Sequence, residues 1–335
     1  MNKKLLLTSA LVGSVALTGF ANAETKITGD LEVTLTSTSS EAAASNTGSS
    51  DIGREMNLIL SAGNDTGLGA LTYGGKFTID GEGKSDDTGS SEWYMTLTNG
   101  NLAVSIGQDM GAGSDNDGTV APHVSDQADT LMRGTGSYSS SNLNPYSKAH
   151  IGAEYKALGG KFGVTYAPNN GNAIAESAAM GTGDSAYEIG YTGSPIGMGI
   201  TVAAFHAETN GDASSGSKKH NKFGLAYKNG PFAVGGQIQD YSNGLNGFAT
   251  RLDYASTAVS ATFTASDNLS IGVGQTTTNR SSDAAGNKEE KINFVTVGYN
   301  LGGLGIDLSV ANVDNGSFAQ GADYQVIQLR TVNKF

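Results

Sequence analysis

The chain has 335 residues, and 32 acids against 20 lysines and arginines give a formal net charge of −12. That balance excludes a nucleic-acid surface, which needs a basic footprint, and the absence of cysteine excludes a small disulfide-stapled scaffold. After residue 23 no stretch approaches the ~20 consecutive apolar residues of a membrane helix, so any membrane crossing has to be made by strands.

The first residues have the three parts of a secretory signal peptide. Lys3 and Lys4 are a positive start, Leu5 to Phe20 an apolar run, and Ala21-Asn22-Ala23 a small-residue cleavage site. Cleavage after Ala23 is expected. The unit to be folded is then 24–335, and loss of the two lysines moves its formal charge from −12 to −14.

From there the pattern has period two, the spacing at which side chains share one face of a strand. Ile27, Gly29, Leu31, Val33 and Leu35 alternate with Thr28, Asp30, Glu32 and Thr34. Met56, Leu58, Leu60 and Ala62 follow, then Leu71, Tyr73, Phe77 and Ile79 against Thr72, Lys76 and Thr78. The alternation continues through segments such as Trp93/Met95/Leu97, Ile151/Ala153/Tyr155, Phe223/Leu225/Tyr227 and Leu304/Ile306/Leu308 to Ile327/Leu329. About sixteen segments result, each near the ~9–11 residues of a tilted membrane strand. Between Phe248 and Phe263 the apolar parity changes, which predicts a bulge or a strand prolonged above the membrane.

The connections alternate in length. Short ones such as Asn64-Asp65-Thr66-Gly67, Asn99-Gly100-Asn101, Asn229-Gly230-Pro231 and Leu301-Gly302-Gly303 carry hairpin-turn chemistry. Between them lie long Ser-, Gly-, Asp- and Asn-rich stretches, including 37–53, 168–184 and 277–290. Tyr155, Tyr191, Tyr227 and Tyr299 come just before short turns, and Phe162 and Phe232 just after, where a girdle at a membrane interface would stand. The opposite parity carries Asp30, Glu32, Lys76, Glu92, Lys148, His150, Glu154, Glu188, Asp307 and Arg330. A dry interior would charge several kcal/mol for each such group, so the enclosed space is expected to hold water. The fold class is therefore all-β, a transmembrane antiparallel barrel closed so that no backbone group meets lipid unpaired.

With these features the chain resembles the general diffusion porins of Gram-negative bacteria, closest to the alphaproteobacterial type. The stretch from Gln325 to Phe335 looks like that family's C-terminal assembly signal: Ile327, Leu329 and the final Phe335 fit, while Asn333 departs from the aromatic often found there. The resemblance implies a homotrimer in the outer membrane, reached through the periplasm and inserted by the barrel-assembly machinery. It also implies a third long loop folded into the lumen. The longest connection, Asp109 to about Ser147, follows the fifth strand as required.

Selectivity in such a pore rests on charge at the narrowest point. Candidates on the loop are Asp109, Asp115, Asp117, Asp126 and Asp129, beside its lone base Arg133. Candidates on the facing wall are Lys76, Lys148 and Arg330, with Arg54 near a strand end. Acids on the loop and bases opposite would set up a transverse field that aligns polar solutes. The expected function is passive diffusion of small polar solutes and ions, with mild cation preference from the −14 charge; a substrate-selective channel is the alternative within this class. No cofactor is expected. Asp115-Asn116-Asp117-Gly118 has calcium-loop spacing but lacks the downstream glutamate and reads as an acidic turn. A barrel hydrolase would need a histidine beside a nucleophile. Only His123, His150, His206 and His220 are available, and the pair His206/His220 flanking one loop is a weak metal motif. A secreted β-rich adhesin would show short fixed repeats, and none is present.

Overall fold

Strand alternation decides the architecture before any packing does: each segment has one face that must leave water and one that must keep it. In the computed structural model, which describes residues 24–40, 49–82, 88–115, 120–133, 145–168, 185–210, 217–242, 253–281 and 288–335, the segments form one closed antiparallel sheet. The strands are β1 (Glu24–Ser40), β2 (Ser49–Thr66), β3 (Gly69–Glu82), β4 (Thr88–Asn99), β5 (Leu102–Gln108), β6 (His150–Ala157), β7 (Gly160–Ala167) and β8 (Ala186–Gly193). They continue as β9 (Ile200–Thr209), β10 (Lys219–Asn229), β11 (Phe232–Ser242), β12 (Asp253–Ser266), β13 (Leu269–Ser281), β14 (Glu290–Asn300), β15 (Leu304–Asp314) and β16 (Tyr324–Lys334). Every strand pairs with its chain neighbours, and β16 closes on β1. The proposed signal segment, residues 1–23, lies outside the described residues.

Burial is inverted relative to a water-soluble sandwich. Ile151 is 53% exposed and Phe77 51%, whereas Thr165 and Glu188 are fully buried. Apolar side chains cover the outside and polar ones the inside, the arrangement of a barrel set in hydrocarbon. Tyr155, Phe162, Tyr227, Phe232 and Tyr299 stand exposed on the outer face beside the short turns. Phe162 packs on Tyr191 at 4.6 Å and Phe232 on Phe263 at 4.8 Å. The Tyr191 hydroxyl donates to the Leu158 carbonyl at 2.7 Å, tying the girdle to the turn backbone.

Strand lengths spread more widely than expected: β1 and β2 have 17 and 18 residues, while β6, β7 and β8 have eight each. The parity change before Phe263 is not a mid-strand bulge. β12 is regular from Asp253, and its one irregularity lies between Thr264 and Ser266, next to the turn. Tyr254 breaks the polar-inside pattern because it is buried on the inner face against Tyr241 and Phe318. The strand thus prolongs itself toward the long-loop end. At the seam, the Phe335 amide donates to the Gly29 carbonyl at 2.9 Å and the Gly29 amide returns the bond at 3.0 Å. A Cβ on Gly29 would meet the Asn57 carbonyl and the Phe335 ring, so only glycine leaves room there.

Candidate functional site

The connection after β5 turns inward, and inner-face glycines let it. At Asp109 the backbone takes φ 54°, and its amide donates to the Tyr146 carbonyl at 2.9 Å. The chain then lies so close to the wall that a Cβ on Gly152 or Gly163 would collide with the carbonyls of Ala112 and Gly113. Wall hydroxyls fasten it. Ser105 donates to the Ala112 carbonyl at 2.7 Å, Thr165 accepts from the Ser114 amide at 2.8 Å and donates to its carbonyl at 2.8 Å. The Ser114 hydroxyl reaches the buried Glu188 carboxylate at 2.7 Å. Tyr146 donates to the Gly111 carbonyl at 2.9 Å. Burial first, then the carboxylates of Asp115, Glu154, Asp109 and Glu92, hold its phenol above the ordinary tyrosine value, so this donor stays protonated.

Further on, the Val120 amide donates to Gln237 at 2.9 Å, and Ser260 donates to the Pro122 carbonyl at 2.6 Å. A short helix α1 (Asp126–Arg133) follows. Ser125 caps it, accepting from the Ala128 amide at 3.2 Å while bonding Ser309 of β15 at 2.9 Å. Leu131, Met132 and Ala128 of the helix pack on Ala258, Ile292, Phe294, Ala311 and Val313, inner-face residues of β12, β14 and β15. The sequence had given no helix here, nor an apolar patch inside the barrel. Among the described residues the loop lies along the inner wall from β5 to β15 and touches β4 at Tyr94, and none of them lies against β16, β1, β2 or β3; Glu92 of β4 and Asp307, at the short-turn end of β15, border that arc.

That open arc is a polar ladder. Arg330 is clamped: its Nε lies 2.6 Å from Glu32 Oε1, its Nη2 donates to Oε2 at 2.6 Å, and its Nη1 lies 3.5 Å from Asp307. Asn57 bridges two other acids, donating to Asp30 at 2.8 Å and Glu55 at 2.6 Å, and accepts from Thr78 at 2.6 Å. Glu32 and Glu55 are direct register partners, so two carboxylates face each other across β1 and β2. Lys76 pairs with Glu92 at 2.5 Å. Below the loop, a cavity of about 850 Å³ opens toward the short turns, lined by Val120–Val124, Lys228, Asp267, Asp307, Arg330 and Lys334 among others.

A family model described as Gram-negative porin matches residues 8–327. The chain belongs to the Gram-negative porin family. No curated protein matches it. Among solved structures, the anion-selective porin from Comamonas acidovorans aligns at 12% identity with a TM-score of 0.65, covering 94% of this chain and 100% of that one. Two substituted forms of Rh. blastica porin align at 15% and 14% identity, with TM-scores of 0.59 and 0.56, each covering 93% of this chain and 100% of theirs. At such identities the likeness speaks for the fold alone. Family and fold together make this porin an outer-membrane channel.

The structure scatters the sequence candidates over this porin. Asp109 marks the root of the loop and Asp115 follows its Ser114 anchor; both are exposed. Asp129 sits half-buried on α1, which Asp126 opens and Arg133 ends; the side chains of those two, and the whole of Asp117 with most of the calcium-like turn, lie outside what is described. Lys76 and Arg330 face the lumen, each already paired with acids. Lys148 belongs to the loop's exit: its amide donates to the Pro145 carbonyl at 3.2 Å, beside the stacked rings of Tyr146 and His150. Arg54, near the start of β2, shares the parity of Ile52 and Met56 opposite Val33 and Gly81, and it borders a cavity with Glu32, Thr34, Asp51 and Glu55. His206 and His220 do not converge either: His206 shares the outer face of Ile189, its register partner, whereas His220 is buried inside beside Ala207. The acids of the open arc were visible as inward charges, but their clustering follows from register.

Proposed function

We propose that this porin is a water-filled channel for passive diffusion of small polar solutes and ions, with mild preference for cations. The observation that carries the reading is the charge of the uncovered wall. Asp30, Glu32, Asp51, Glu55, Glu92 and Asp307 stand on or beside it against Lys26, Lys76 and Arg330, with Lys334 added as the register partner of Asp30. Of the wall bases that the sequence set opposite an acidic loop, Lys76 and Arg330 stand on this wall. Lys76 and Arg330 are engaged by neighbouring carboxylates, and acids outnumber bases on this wall. A wall of one net sign raises the local concentration of the opposite ion. Homotrimeric assembly, export through the periplasm and insertion by the barrel-assembly machinery complete the proposal on the strength of family membership.

The test is the reversal potential of single channels under a KCl gradient. Cation preference is expected, reduced by Glu55→Gln. A reversal potential of anion-selective sign would overturn it.

A further inference from the structure

The carboxylates of the open arc are a hazard to a channel as well as an asset. Glu32 and Glu55 are register partners, Asp30 is linked to Glu55 through Asn57, and Asp307 lies one strand beyond Arg330. Carboxylate, amide and hydroxyl oxygens are the donors that hard divalent cations take, and conduction requires that an ion be held weakly enough to leave. The Asn57 amide donates between Asp30 and Glu55, and a cation interrupts the rest of the array. The Arg330 guanidinium lies in its midst, with two nitrogens on Glu32 at 2.6 Å and a third 3.5 Å from Asp307, all three side chains no more than 20% exposed. Arginine keeps its charge at every physiological pH, and its planar fork matches a carboxylate in two contacts. It thus occupies the oxygens a divalent ion would need, without neutralising the whole wall.

We propose that Arg330 is a specificity-determining residue that keeps the pore from trapping divalent cations. Glu32 and Asp307 are tied to it, so Asp30 and Glu55 attract cations in passing and no set of carboxylates closes around one. This role rests on the reading of the lumen as a water-filled, cation-preferring channel.

The experiment is calcium titration of potassium current through single channels in 0.1 M KCl. The wild-type current is expected to change little at millimolar calcium. Arg330→Gln is expected to be blocked reversibly, with half-block at a calcium concentration roughly ten-fold lower, the effect of removing one positive charge a few ångströms from a divalent ion in a water-like dielectric. Arg330→Lys, which keeps the charge and loses the fork, should fall between. The double variant Glu32→Gln/Arg330→Gln should return toward wild type; where Arg330→Gln folds poorly, Arg330→Lys serves, and calcium sensitivity of Arg330→Lys equal to wild type then overturns the proposal. Equal calcium sensitivity in wild type and Arg330→Gln would overturn the proposal, as would block of the double variant at the same calcium concentration as Arg330→Gln. Reversal potential in KCl alone reads the cation preference separately, so failure of one reading is distinguishable from failure of the other.

Discussion

Replacing Gly152 by valine asks whether the inner loop is held by the glycine-lined trough beneath it. The new Cβ would collide with the Ala112 carbonyl, backbone against side chain, so the loop has to lift. Lifting it breaks Ser105 to Ala112, both bonds between Thr165 and Ser114, and Ser114 to Glu188. Three neutral bonds near 1 kcal/mol and one to a carboxylate at 1.5–3 kcal/mol place the loss at about 4–6 kcal/mol. The barrel itself should be untouched, because Gly152 is paired through its backbone and valine suits a strand. Single-channel conductance in 1 M KCl and liposome swelling with sugars of increasing size should both rise, with unchanged β-sheet circular dichroism. A folded variant with wild-type conductance and size cutoff would refute the reasoning.

Met132→Ala empties a fully buried site between α1 and the wall and should weaken loop docking by about 2–5 kcal/mol, seen as faster proteolysis of the loop in an intact barrel. Gly29→Val drives a side chain into the Asn57 carbonyl and the Phe335 ring, and should lower the yield of folded barrel, measured by heat-dependent gel mobility. The Tyr146 phenol is held above its ordinary value, so its bond to Gly111 should survive at about pH 10, where an unperturbed tyrosine is half ionised. Wild-type conductance should therefore stay level through that pH, while Tyr146→Phe should weaken the loop by about 1 kcal/mol and raise current noise.

The barrel was legible because each strand repeats one physical demand, grease outward and water inward, in its own few residues. Leu31/Val33/Leu35 opposite Glu32/Thr34 states that demand with no help from distant sequence. The lumen was harder. Ile292, Phe294 and Val313 face inward against the rule because α1, well over a hundred residues away, covers them. Helix α1 has only eight residues and is held by that contact, so its own pattern says little. The confrontation of Glu32 with Glu55 depends on the register of β1 against β2, which no single segment fixes. The inner-face glycines are a signal that could have been used. Gly152, Gly163, Gly224 and Gly298 recur at positions where strands otherwise place polar side chains, and the loop passes over each of them.

The pairing of β16 with β1 joins residues 298 positions apart, as in the contact of Arg330 with Glu32. Until that last hairpin arrives, the growing sheet has two raw margins, each a row of amides and carbonyls that lipid cannot satisfy. Nascent chains interrupted anywhere before β16 should stick to one another rather than persist as partial channels. Synthesis has to finish before a stable pore exists at all, and the cell must shelter the unfinished chain for that whole interval.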